Sequence, residues 1–474
     1  PLKRWVARRA PERKEVNWME TKVVGQRVKR YDGMAHVTGE TRFVDDVIVP
    51  GTMTIKALRS PVSRGRILNI DTSAAAAMKG VAAVITADDV PCNAYGLIPD
   101  QPVFPKEDIR FKGETIAAVA AEDMDTALEA LAKIKLDIEE QEAVLDPTEA
   151  MKPDAPLVRP EGNVYMYGDR PFRQIIFGDI DAGFEEADQI IENTYLHPSL
   201  EHAQLEPQAS LAVPSASGKL TIYTVSQALY FHLGQICGIL QMGPDMVQCK
   251  QWAARTRSSW RHNAGFSNVN YIGGTVGGGF GSKNDIHADH VAALLALKSG
   301  RPCKWVWTRE EDLLYSTFRG AWMITIRDGV KKDGRIVARK IKSIRDAGAY
   351  SSLNPYVVDK NSFLATGPYF VPNIYIEGYC VYTNKPPASS MRGFGVTPSV
   401  FATEVQIQKI ATELGMDPWE IRLINAYRKG DKSPTRRVLQ SVALVEVLQK
   451  LAVKAGVDLP DHLKAMNSDE RGWA

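Results

Sequence analysis

Two stretches of the chain carry residue types suited to holding an anionic ligand against a flat one. The first, Gly273 to Lys283, reads Gly-Gly-Thr-Val-Gly-Gly-Gly-Phe-Gly-Ser-Lys, with six glycines in its first nine residues. The second, Ser389 to Gly395, reads Ser-Ser-Met-Arg-Gly-Phe-Gly. Glycines this dense let the backbone enter φ > 0 and approach a ligand closely. Successive free N–H groups form an anion-binding concavity, and a helix start just behind adds positive potential. Each stretch sets a phenylalanine between glycines ahead of a helical segment, Ile286 to Leu297 after the first and Pro398 to Leu414 after the second. Gln227 ends a strand-like run before a third helical segment and offers an amide. Two amide nests, two rings and a glutamine would hold a large anionic cofactor beside a flat substrate, although spacing alone does not show that they converge. A flexible linker is the competing account of the glycines, and the apolar helix that follows weighs against it. Neither nucleotide pattern fits. A Walker A loop needs glycine where Ser282 stands, and G-x-G-x-x-G fails at the same residue.

Other candidate groups carry less. His287 and His290 are three apart, but no third ligand is in view, so packed or solvated histidines are expected and no metal is assigned to protein ligands. Glu201, His202 and Glu206 are expected to support the fold. The segment from Gln251 to His262 holds two tryptophans and three arginines. A net charge of +2 argues against nucleic acid, so a loop contacting a partner subunit is expected there. The five cysteines are far apart and form no C-x-x-C, which excludes a zinc site or an iron–sulfur cluster held by this chain alone. Reduced cysteines and a cytoplasmic setting follow. No apolar run reaches the roughly 18 residues a membrane span needs.

These groups need a scaffold. With 474 residues, 44% hydrophobic and 24% charged, the chain has the composition of a multidomain globular protein. Residues 1–24 are charged, without periodicity, and read as an extension. From 25 to 145 strands and helices alternate: Arg42-Phe43-Val44, Met53–Leu58, Val81–Ile85 and Ile116–Ala120 as strands, and a helix capped by Asp123 or Asp125. Residues 146–164 are proline-rich and read as a linker. From 165 to 456 a larger α+β unit holds Gln227 and both glycine loops, and 457–474 is a tail.

Beside this reading, the sequence resembles the molybdenum-binding large subunit of the xanthine oxidase family of molybdenum hydroxylases. The resemblance runs from about residue 25 to 455. It is carried by Met34 to Asp46, Gln227, Gly278-Gly279-Phe280-Gly281 with Lys283, Pro372-Asn373-Ile374, Thr383-Asn384, Arg392-Gly393-Phe394-Gly395 and Asp417-Pro418 to Asn425. It implies an N-terminal α/β hammerhead domain followed by the first molybdopterin-binding α+β domain. It implies a molybdopterin cofactor in its cytosine dinucleotide form, with molybdenum bearing oxo, sulfido or selenido, and hydroxide groups. Such a centre hydroxylates an electron-poor carbon of an aromatic heterocycle with oxygen from water. Electrons then pass to 2Fe–2S clusters, and often FAD, on partner subunits. By position, Gln227 would bond the oxo group, and Gly278, Gly279, Phe280, Gly281, Arg392 and Gly393 would line the cofactor pocket. Phe394 would pack on the substrate ring, with Arg392 near the metal.

The departures from that family bear on substrate. Purine-oxidising members carry a glutamate where Asn284 stands and an arginine near Lys360. Asn284 and Lys360 are therefore expected to set substrate choice, with Lys360 as charge partner of a ring bearing a carboxylate or carbonyl. The family's base is a glutamate in a Gly-Glu-Pro-type motif, whereas the only Glu-Pro here is Glu206-Pro207, preceded by Leu205. The resemblance thus implies a split site, with a second molybdopterin-binding subunit supplying the glutamate. Three readings stay open at the sequence: a hydroxylase subunit of this kind, or an aldehyde or aromatic acyl-thioester oxidoreductase of the same family; a non-catalytic scaffold of the same fold; and a nucleotide-binding enzyme of another class.

Overall fold

A computed structural model describes residues 23–242 and 268–469. The chain divides after Arg42 into two units. In the first, a short helix, Gly33–Thr38, ends at Gly39 in the left-handed conformation, and Arg30 pairs with Asp32. The second unit holds the strands and helices that build the candidate site.

In chain order its strands begin with β1 (Met53–Arg59), β2 (Gly65–Asp71), β3 (Val81–Ile85), β4 (Asp108–Ile109), β5 (Thr115–Ala121) and β6 (Lys135–Glu140). Then come β7 (Arg173–Phe177), β8 (Gln189–His197), β9 (Ala209–Pro214), β10 (Leu220–Thr224) and β11 (Val269–Gly273). The last are β12 (Cys303–Val306), β13 (Trp322–Val330), β14 (Ile336–Gly348) and β15 (Asn373–Tyr382). The main helices are α1 (Met124–Ala132), α2 (Leu229–Leu240), α3 (Asp289–Ser299), α4 (Asn354–Leu364), α5 (Val396–Leu414) and α6 (Pro418–Asn425).

Local chemistry sets these elements. Asp123 caps α1 by accepting the Thr126 N–H at 2.8 Å, and Asp417 caps α6 with Pro418 in its first turn. Every second residue of β13 from Trp322 to Ile326 is buried, the alternation of a strand with one face on a core. In contrast β5 is buried on both faces, and its small residues, Ile-Ala-Ala-Val-Ala-Ala, leave room for helices above and below.

A five-stranded sheet, β7-β15-β14-β13-β8, backs the largest core. Across it Arg339 gives both Nε and Nη2 to Asp328, at 2.7 and 3.0 Å, with both side chains fully buried. Gln406 adds a third donor at 3.0 Å, so the buried charge is satisfied. A three-stranded sheet, β4-β2-β6, lies apart from it.

The seven-stranded sheet runs β11-β10-β9-β12-β1-β5-β3. Its order joins the two units that the sequence presents as separate. Parallel pairing of Met53 with Cys303 makes one continuous sheet of strands from the N-terminal region and from the larger one. The stretch expected as a linker is packed. Ala150 and Val158 belong to the main core, and the buried Asn163 amide ties Val158 N to the carbonyls of Ala150 and Pro156. Arg42-Phe43-Val44 forms no strand, because the Asp46 carboxylate takes the Phe43 N–H at 2.8 Å and closes a turn. Cys237, Cys303 and Cys380 are buried free thiols, whereas Cys92 is disulfide-bonded, which corrects the expectation of reduced cysteines at that position. No described helix is long and apolar enough to cross a membrane.

Glu114, just before β5, is buried and accepts the Arg110 N–H at 2.8 Å and the Tyr350 hydroxyl at 2.5 Å. Burial pushes its pKa up to about 7. A folded-state pKa above the unfolded value of about 4.3 favours the native state below that value, and the benefit is lost as pH rises through about 7. Wild type should therefore lose thermal stability relative to Glu114→Gln as pH goes from about 5 to about 8. Melting curves that stay parallel over that window would refute the assignment.

Candidate functional site

β10 and β11 run parallel, with Thr224 opposite Gly273, and end together. Whatever follows each strand therefore emerges at the same sheet edge. Gln227 follows β10 and the first glycine loop follows β11. The Gly274 N–H bonds the Thr224 carbonyl at 3.1 Å, and the Gln227 N–H bonds the Lys283 carbonyl at 2.8 Å. The Gly281 N–H reaches the Gln227 side chain at 3.0 Å. Only the amide oxygen accepts, so this bond fixes the orientation of the amide. Both Nε2 hydrogens of Gln227 are left without a protein acceptor among the described residues. A Cβ on Gly279 would meet the end of the Gln227 side chain and displace the amide from Gly281.

The second loop follows β15 and precedes α5, and it meets the first directly. The Arg392 N–H donates to the Phe280 carbonyl at 2.7 Å, and Ser390 Oγ donates to the Gly281 carbonyl at 2.9 Å. A Cβ on Gly281, at φ 113°, would lie 2.6 Å from the Ser390 carbonyl oxygen. Phe280 and Phe394 adopt matching left-handed conformations, φ 50° and 49°, a costly choice for aromatic residues that the packed loops impose. Phe280 is 48% exposed, while Phe394 packs against the main core. The N–H groups of Gly278, Gly279 and Phe280 have no protein acceptor, and the exposed Arg392 guanidinium has no ion-pair partner, among the described residues. The residues Gln227, Gly278 to Gly281, Arg392, Gly393 and Phe394 are thus brought together. Free amide donors, an unpaired cation and a backbone stripped of side chains fit an anionic pterin cofactor.

Behind the loop, Lys283 is fully buried and donates to Glu206 at 2.7 Å. The same carboxylate oxygen takes the Gly277 N–H at 2.6 Å, so one ion pair pins both ends of the glycine run. Burial lowers the lysine's pKa, and Glu206 opposes that. Lys283→Met leaves Glu206 unpaired and is expected to destabilise the chain by about 3–5 kcal/mol in urea unfolding, with cofactor occupancy falling too. An unchanged midpoint would remove the role.

Other side chains support the loops, and of these Gln204, Gln208 and Asp312 are not singled out by the sequence. His202 is buried and bonds the Ser390 carbonyl at 2.8 Å, across 188 residues. Gln208 holds Ser282 Oγ at 2.9 Å, and Gln204 holds the buried Asp312, whose pKa burial raises to about 6. Asn373 and Asn384, motif residues in the sequence, act as structural ties, to Val337 and Asp179 in one case and to Val144 and Arg110 in the other. His287 packs on Trp307 and His290 on Tyr95, and burial pushes both pKa values down to about 3. Among the described residues no group of three or more His, Cys, Asp or Glu is arranged to hold a metal.

Next to the loops lies a cavity of about 240 Å³. Asn284, Asp285 and Ile286 reach it from the end of the glycine loop, Ala228 and Phe231 from the start of α2, and Leu353 from the start of α4. A loop between β3 and β4 closes it with Tyr95, Leu97, Asp100 and Gln101. Asn284 is thus one of the lining residues. Lys360 is not one: it is exposed, seven residues or roughly 10 Å further along α4. Trp252 to Trp260 fall outside the described residues.

The family model described as molybdopterin cofactor-binding domain matches residues 161–255 and 250–426. The one described as aldehyde oxidase and xanthine dehydrogenase, a/b hammerhead domain, matches 38–142. The nicotinate dehydrogenase large molybdopterin subunit of Eubacterium barkeri is 33% identical over 436 residues, 91% of this chain and 96% of that one. The xanthine dehydrogenase molybdenum-binding subunit of Escherichia coli O157:H7 is 30% identical over 439 residues, 89% of this chain but 54% of that one. Aldehyde oxidoreductase from Desulfovibrio gigas superposes with a TM-score of 0.80 at 28% identity, covering 90% of this chain and 46% of that one. The chain thus spans nearly the whole of the first relative and about half of the other two.

Proposed function

The chain belongs to the xanthine oxidase family of molybdenum oxidoreductases, and from that premise we propose that it forms the cofactor-holding wall of a hydroxylase acting on a pyridine- or purine-type ring. The observation that carries the proposal is the meeting of the two glycine loops beside Gln227, through Arg392 N–H to Phe280 O and Gly281 N–H to Gln227 Oε1. When bound, the molybdenum–pterin group supplies the redox chemistry that joins water-derived oxygen to the ring carbon and takes up two electrons. The chain's own residues supply position. Gln227 Nε2 would donate to the group's oxo ligand, the Gly278 to Phe280 amides and Arg392 would hold its negative charge, and Phe394 would bound the substrate side. The relatives' names, nicotinate and xanthine dehydrogenase, support a heterocycle over a scaffold role. The cytosine dinucleotide form of the cofactor, 2Fe–2S and flavin partners, a second molybdopterin-binding subunit and a cytoplasmic setting belong to the same proposal.

The test is elemental analysis and cofactor extraction on the purified complex, followed by turnover of an N-heterocycle in isotopically labelled water. Molybdenum with a pterin, and label in the product, is the expected result. A folded complex with neither metal nor pterin would favour the scaffold.

A further inference from the structure

The cavity beside the loops is rich in hydrogen-bond acceptors that lack donors. Asp100, whose side chain is 9% exposed, spends one carboxylate oxygen on both its partners. Oδ2 takes Arg159 Nη1 at 2.5 Å and the Ser351 N–H at 2.9 Å. Its other oxygen, Oδ1, is buried without a partner. Leaving such an acceptor unmet is expensive, so a ligand or water is expected to meet it.

Asn284 repeats the pattern. Its Nδ2 donates to Ser390 Oγ at 2.9 Å, and the Ser390 hydroxyl proton is already given to the Gly281 carbonyl. Ser390 therefore only accepts there, which fixes the amide orientation and leaves Asn284 Oδ1 without a donor among the described residues. Gln235 accepts the Gly96 N–H and gives one Nε2 hydrogen to the Phe231 carbonyl. Asp285 brings a second carboxylate, which accepts from Ser352 and Thr317. Among the described residues no lysine, arginine or histidine lines the space. Arg159 reaches it only through Asp100, and Leu97, Phe231, Ile286 and Leu353 provide flat apolar walls. A volume of about 240 Å³ falls just below the usual range for ligand pockets and suits a ligand of one or two rings.

We propose that this cavity selects a heterocycle that presents N–H donors, an exocyclic amine or a ring lactam, and rejects a ring bearing a carboxylate, with Asp100 and Asn284 as the residues that set the choice. This rests on the reading that the face formed by the two loops is the hydroxylation site. It reverses the expectation built on Lys360, and it argues against carrying nicotinate over from the relative's name.

A matched set of rings tests it: aminopyrazine, pyrazine and pyrazinecarboxylate, titrated into the cofactor-loaded complex by calorimetry. Aminopyrazine should bind about tenfold more tightly than pyrazine, in keeping with a hydrogen bond to a charged acceptor, and the carboxylate should bind most weakly. Asp100→Asn should cut the preference for the amine about tenfold. The wild-type order alone decides if that variant fails to fold for want of a partner to Arg159. Equal or tighter binding of pyrazinecarboxylate by wild type overturns the proposal. Turnover is measured in parallel. Rings that bind in the expected order without being hydroxylated would support the cavity assignment and count against the hydroxylase reading alone.

Discussion

Gly281→Val is expected to leave a folded chain that retains almost no molybdenum and turns over at least about 100-fold more slowly, on the scale of losing a preorganised active-site donor. The residue sits at φ 113°, where an L side chain is strained, and its Cβ would meet the Ser390 carbonyl at 2.6 Å. The clash is with backbone, so no rotamer relieves it. The second loop must move away, which breaks the Ser390–Gly281 and Arg392–Phe280 bonds together and carries Phe394 with it. Gln227→Ala is the milder companion. It removes an exposed side chain and one bond to Gly281, so stability should change little while turnover falls about 10²–10³-fold. Circular dichroism separates folding from cofactor loss, and elemental analysis reads the metal. Full metal content with normal turnover in Gly281→Val would show that the loops do not need their contact.

The loops themselves were legible because glycine density and an embedded aromatic are local signals. Glycine at positions 278, 281, 393 and 395 answers to φ values between 93° and 113°, which few other residues adopt. The helix ends were legible for similar reasons: Asp123 and Asp417 cap where their types suggest. What the sequence does not display is every pairing made over distance. The loops converge because β10 and β11 align in parallel, Leu220 opposite Val269 and Thr224 opposite Gly273, and because His202 reaches Ser390. The join of β1 to β12 is of the same kind, and it ties the N-terminal strands into the sheet that carries the site. Asp100 was invisible for a further reason. Its neighbours in sequence, Pro99 and Gln101, mark only a loop, and its chemistry comes from Arg159 and Ser351 far along the chain. Lys360 differs in another way: its type suits a carboxylate, but its side chain is exposed on the helix and does not line the cavity.

The isolated chain, loaded with cofactor and supplied with an artificial electron acceptor, is expected to hydroxylate about 10²–10⁴-fold more slowly than the assembled complex, the worth of a positioned general base. The reason lies in how the carboxylates around the loops are used. Glu206 is held behind the glycine run by Lys283 and the Gly277 N–H, and its second oxygen is buried there without a partner. Glu201 is taken up by Ala203 N and Ser316 Oγ. Asp312 is held by Gln204 and Arg309, and Asp285 by Ser352 and Thr317. Asp100 is tied through one oxygen to Arg159 and to the Ser351 N–H, and its other oxygen is buried. Each of these five is thus committed to an ion pair or to hydrogen-bond donors away from the open face of Gln227 and Phe280, where a proton would have to be taken. That face is exposed, with Phe280 48% accessible and Gln227, Arg392 and Gly393 exposed beside it. Water at such a face weakens every electrostatic interaction that a closed site would strengthen. A second polypeptide that covers these residues and brings a glutamate would repair both defects at once. Adding the partner back should restore the rate, and a partner carrying glutamine in place of its glutamate should close the site without restoring it. Near-normal turnover by the isolated chain, folded and metal-loaded, would show that the base is already among its own residues.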